Sequence, residues 1–122
     1  MTALYRAIGS AEFALLVRNA FTEIPAGVSI EPVLYVTPER IHAEWVAREW
    51  MATDAGSGYV GYVTRLEVQS RFLARYPIRQ TADGRPEYWI PVEHIGELNA
   101  SIVGPIEVVA EFRPGTEERA RS

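Results

Sequence analysis

The sequence predicts an α+β domain, mainly antiparallel, with two small sheets and flanking helices. Strand-like and helix-like stretches alternate along the chain and are short. The connections are too short for regular βαβ crossovers. An Asp83-Gly84 pair, a hairpin turn signal, introduces an aromatic strand late in the chain. The length of 122 residues suits one domain, assigned to residues 1–112, with a real core. Residues 113–122, RPGTEERARS, read as a flexible tail.

Leu4 to Ile8 reads as the first strand, and Gly9-Ser10 ends it. Ser10 is placed to cap a helix by accepting the N–H of Phe13. Phe13, Leu16, Val17, Ala20 and Phe21 fall at helical spacing. Pro25 to Gly27 closes this unit. Pro32 to Val36 is a short strand. Thr37 then caps a helix with Pro38 at its first position, running to about Met51. Ile41, Trp45 and Val46 mark its buried side, with Trp50 near the edge. Asp54 to Gly58 is a glycine-containing turn. Tyr59 to Val68 is β-branched and aromatic, as a long strand requires. A helical turn over Ser70 to Tyr76 and a strand over Pro77 to Gln80 follow. Thr81 to Pro86 is a turn, Glu87 to Val92 a strand, Glu93 to Asn99 a short helix, and Pro105 to Phe112 the last strand.

The totals exclude several kinds of chemistry. There are no cysteines, so disulfides and thiolate catalysis are ruled out. With two histidines, His42 and His94, a zinc site would have to lean on carboxylates, and no metal is expected. A net charge of -4 argues against nucleic acid as the main partner. No apolar run approaches membrane-spanning length, and the first residues lack a signal-peptide pattern. The expected location is therefore the cytoplasm. P-loop, G-x-G-x-x-G and G-x-S-x-G motifs are lacking, and GSGYVG at Gly56 to Gly61 precedes a strand and reads as a loop.

Three side chains stand out. Arg6 lies among large apolar groups in LYRAI, where a charge needs a partner or ligand. Its rigid fork fits carboxylate or phosphate, unless it merely sits on the open face of an edge strand. Tyr35 is either core or a flat platform for an aromatic ring. Glu87 opens the strand EYWIP. It is either a solvated strand end or a carboxylate among aromatics that accepts a hydrogen bond from a sugar hydroxyl.

Together, LYRAIG, VLYVTPERIHAEWVAREW, SGYVGYVTRLEVQSRFLARYPIRQ and EYWIPVEHIGELNASIVGPIEVVAEF resemble small bacterial proteins labelled "ADP-ribosylation/crystallin J1". The similarity spans Leu4 to Phe112. The element order resembles the ADP-ribosyltransferase fold, and the acidic metal motifs of the all-helical ADP-ribosylglycohydrolases have no counterpart. The resemblance implies NAD as substrate in a cleft between two small antiparallel sheets. It implies that Arg6 holds a phosphate or ribose, that Tyr35 lies against the nicotinamide with Thr37 beside it, and that Glu87 is the catalytic carboxylate. Glu93 is the substitute for that role. The S-T-S triplet of the family is matched only in part by YVT, and Arg85 stands where many protein-modifying members carry Glu or Gln.

The implied activity is cleavage of the nicotinamide–ribose bond, as an ADP-ribosyltransferase or NAD glycohydrolase, with a possible protein acceptor. The alternative is a non-catalytic, degenerate relative that binds a nucleotide or a protein partner. The first requires Arg6, Tyr35 and Glu87 to converge on one cleft.

Overall fold

The apolar spacing of LYRAI produces strand β1 (Thr2–Ile8), and helix α1 (Ser10–Arg18) follows directly. The computed structural model describes residues 1–25, 27 and 32–114. Next come β2 (Val33–Val36) and α2 (Arg40–Val46), which continues into a π-helical turn at Ala47–Met51. Strand β3 (Gly61–Val68), the short helix α3 (Ser70–Leu73), β4 (Arg79–Gln80) and β5 (Pro86–Pro91) follow. A 3₁₀ turn at Val92–His94 leads into α4 (Ile95–Ser101), and β6 (Glu107–Phe112) ends the fold.

The strands form two three-stranded antiparallel sheets, ordered β1-β3-β6 and β2-β5-β4. This is the α+β, antiparallel architecture expected. The sheets join where β1 meets the end of β2. Tyr5 N–H donates to the Thr37 carbonyl at 2.7 Å, and Thr37 N–H returns a bond to the Tyr5 carbonyl at 3.0 Å.

Strand alternation sorts the residues into faces. Cross-strand pairs Leu4–Leu66 and Ile8–Tyr62 put one face of the first sheet into the main core. Leu34 and Ile90, paired on the second sheet, fill the same core. Helix α1 adds Leu16, and Phe13 stacks on Tyr62 with ring centroids 4.1 Å apart. Helix α2 and its π-helical turn cover the opposite face of the first sheet, packing Ala43 and Ala47 on Val63.

That second contact corrects the expected face of α2. Ile41 is 68% and Trp45 39% exposed and Val46 is half-buried, while His42, Ala43 and Ala47 are buried. The reason is steric. A Cβ on Gly61 would lie 2.2 Å from the Ala47 carbonyl oxygen, so helix and strand touch backbone to backbone. Only small residues fit there. Positions 41 and 45, and 43 and 47, both have i, i+4 spacing, so periodicity alone cannot choose between the two stripes.

Other boundaries shift for local reasons. Ser10 does not cap α1. Gly9 precedes the helix in extended conformation, and Phe13 N–H bonds the Gly9 carbonyl at 3.1 Å. Ser10 instead packs on Gly58, where an added Cβ would stand 2.4 Å from its hydroxyl. Thr37 accepts the Glu39 N–H at 3.0 Å, but the bridge to Tyr5 keeps it in the sheet, so α2 starts at Arg40 and not Pro38. Tyr59 has φ 56, outside strand conformation, and β3 starts later, at Gly61. Pro77 and Pro105 lack an N–H for a ladder, and β4 and β6 begin after them. Of the expected turn at 25–27 and tail at 113–122, residue 26 and residues 115–122 lie outside the described residues.

Candidate functional site

Beyond the Tyr5–Thr37 bridge, β1 and β2 diverge, and α2 runs past the gap. The result is a cleft of about 650 Å³. Tyr5, Arg6 and Ala7 line it from β1, Val33 to Thr37 from β2 and the residue after it, and His42, Trp45 and Trp50 from α2 and its π-helical turn. Asp83 and Glu87 close it from the β4–β5 side. Arg6, Tyr35, Thr37 and Glu87 thus line one cleft. Glu93 is exposed and is not part of its wall.

Backbone geometry gives the cleft a polar edge. The N–H and C=O of Tyr5 point away from β3, toward Thr37. In an antiparallel strand the next residue with that orientation is two positions on. The N–H and C=O of Ala7 therefore face the gap, side by side, past the last inter-sheet hydrogen bonds. An edge of this kind presents one donor and one acceptor, the pattern a carboxamide complements.

Glu87 is held on both oxygens. His42 Nε2 lies 2.8 Å from one, and Trp89 Nε1–H donates to the other at 3.1 Å. The Glu87 side chain is 15% exposed, so it is not a solvated strand end. Glu87 and Trp89 are two apart on β5 and share its cleft face with Tyr35, the cross-strand partner of Trp89. Tyr35 meets the Trp89 ring edge-on at 5.9 Å, and the Arg79 guanidinium lies 4.9 Å from the Trp89 centroid. Tyr35 is 41% exposed and belongs to the cleft wall, not the core.

The Thr37 hydroxyl donates to the Pro86 carbonyl at 2.8 Å, fixing the residue before Glu87. Arg6 has a carboxylate partner, Glu12 of α1, and both side chains are nearly buried. The charge in the first strand is thereby neutralised within the protein. A ligand phosphate at Arg6 would share or displace that carboxylate.

A smaller hollow of about 150 Å³ lies beside the cleft and shares His42, Trp45 and Asp83 with it. At its rim the Thr81 hydroxyl donates to Asp83 and holds that carboxyl below the usual range. The Asp83 backbone N–H and the Arg85 charge act in the same direction.

Sequence reasoning missed His42, Trp89 and Glu12. The spacing of Glu87 and Trp89 was a usable signal for one of them. The position of His42 in the first turn of α2 was another, because helical side chains lean toward the helix N-terminus, here toward β5. Nothing local marks Glu12 as the partner of Arg6. Among the described residues no group of three His, Asp or Glu side chains could hold a metal ion, and no helix is long and apolar enough to cross a membrane. No family model, curated protein or solved structure matches this chain.

Proposed function

We propose that the cleft binds NAD and cleaves its nicotinamide–ribose bond, as an ADP-ribosyltransferase or NAD glycohydrolase. The observation that carries this reading is the meeting of Arg6, Tyr35, Thr37 and Glu87 on one cleft of about 650 Å³. The resemblance to the ADP-ribosyltransferase family assigns roles to these same four residues.

The chemistry follows from the groups present. The nicotinamide carboxamide pairs with the N–H and C=O of Ala7, and its ring lies against Tyr35. Glu87 accepts a hydrogen bond from a hydroxyl of the nicotinamide ribose. As the C1′–N bond breaks, its electron pair leaves with nicotinamide, which becomes neutral, and positive charge develops on the ribose. The nearby carboxylate stabilises that charge more in the transition state than in the ground state. Water or an acceptor nucleophile then bonds to C1′ and releases a proton. The acceptor is water in a glycohydrolase and a protein side chain in a transferase.

One observation favours the non-catalytic alternative. Arg6 is already paired with Glu12, so the phosphate fork is engaged before any ligand arrives. A nucleotide-binding module without turnover would tolerate that arrangement.

Nicotinamide release by the purified protein separates the two. Wild-type release, reduced roughly a hundredfold or more by Glu87→Gln, is the expected result. If there is no release with or without cell lysate as acceptor, while NAD still raises the melting temperature, the binding module is the better reading.

A further inference from the structure

We propose that His42 is the positioning residue for Glu87, holding its carboxylate in the one orientation that serves the ligand. This deepens the NAD-cleaving reading and rests on it. The His42 Nε2–H and the Trp89 Nε1–H approach different oxygens of the same carboxylate, at 2.8 and 3.1 Å. Each carboxylate oxygen has two lone pairs, so each keeps one for a ligand hydroxyl. Donors on both sides fix the plane of the group. A free glutamate side chain would lose rotamer entropy on meeting its substrate. Here that ordering has happened in advance.

A purely structural role is the competing account, in which His42 only ties β5 to α2. The Thr37 hydroxyl, in the corner leading into α2, already anchors β5 there, at the Pro86 carbonyl one residue before Glu87. The corner between β2 and α2 therefore grips two successive residues of β5. The first contact fixes backbone, while the second fixes the carboxylate and no backbone atom. His42 is only 6% exposed and lines the cleft, so its ring has little freedom to turn elsewhere. Orientation of a reacting group is worth large factors in rate when it is set before binding.

The test is steady-state nicotinamide release by wild type, Glu87→Gln, His42→Phe, His42→Gln and His42→Asn, with thermal unfolding of each. His42→Phe removes the donor and should lower kcat roughly ten- to a hundredfold, with KM within about threefold. His42→Gln keeps an N–H at similar reach and should recover most of the loss. His42→Asn is too short to reach Glu87 and should behave like His42→Phe. It decides the matter if the Phe variant does not fold. If folded His42→Phe or His42→Asn has kcat within about twofold of wild type while Glu87→Gln is inactive, the positioning role is wrong and the NAD-cleaving reading stands. A loss confined to KM overturns the positioning role in the same way. Absence of release from the wild type overturns both.

Discussion

The two sheets differ in what they do with their side chains. In the first, β3 is buried or half-buried along its whole length, with core residues on one face and α2 on the other. In the second, β5 buries Ile90 but leaves Trp89 open on the cleft face, and β2 likewise buries Leu34 while opening Tyr35. Both sheets are three-stranded and antiparallel. The difference lies in the second face, which the first sheet covers by packing and the second leaves open to the cleft. On the proposed NAD-cleaving reading, stability and reactivity fall on different strands, and substitutions should separate them.

The largest effect on folding belongs to the first sheet. Leu66 is 1% exposed in the main core. Leu66→Ala should cost about 3 kcal/mol of unfolding free energy in urea. A loss below about 1 kcal/mol would break the comparison. Gly61→Ala should come next, near 2 kcal/mol, because the new methyl meets the backbone of Ala47 and not a flexible side-chain end. A wild-type denaturation midpoint for this variant would show that α2 can lift away freely. Tyr35→Ala, on the second sheet, should change stability by less than about 1 kcal/mol yet weaken NAD binding on the order of tenfold in a calorimetric titration. Should it unfold the protein as badly as Leu66→Ala, the division between the sheets fails.

The same division explains what was legible in the sequence. Strand β1, the Thr37 turn and the hairpin at Asp83-Gly84 announce themselves through local propensity and turn chemistry, and those elements form near where they were expected. The antiparallel pairing followed from the short connections. Of the cleft-lining positions, Arg6, Tyr35 and Glu87 stand out by their places in their strands, while Thr37 and the roles of all four came from the family resemblance. What could not be read is contact between distant segments. The Arg6–Glu12 pair depends on how α1 folds back on β1, and the His42–Glu87 pair joins residues far apart in sequence. The orientation of α2 depended on Gly61, which touches a helix that precedes it in the chain. A periodic pattern records that a helix has an apolar face. It does not record which of two stripes a tight neighbour will accept.

The short bridge between the sheets has a further consequence. Past Tyr5, β1 is an open sheet edge, and open edges invite strands from other molecules and so aggregation. Here that edge is recessed, walled by β2 on one side and α2 on the other, and β1 ends at Ile8 soon after Ala7. An extended polypeptide finds too little straight edge there to pair with. The recess proposed to admit a small ligand is thus also what keeps the first strand's edge from pairing with other molecules.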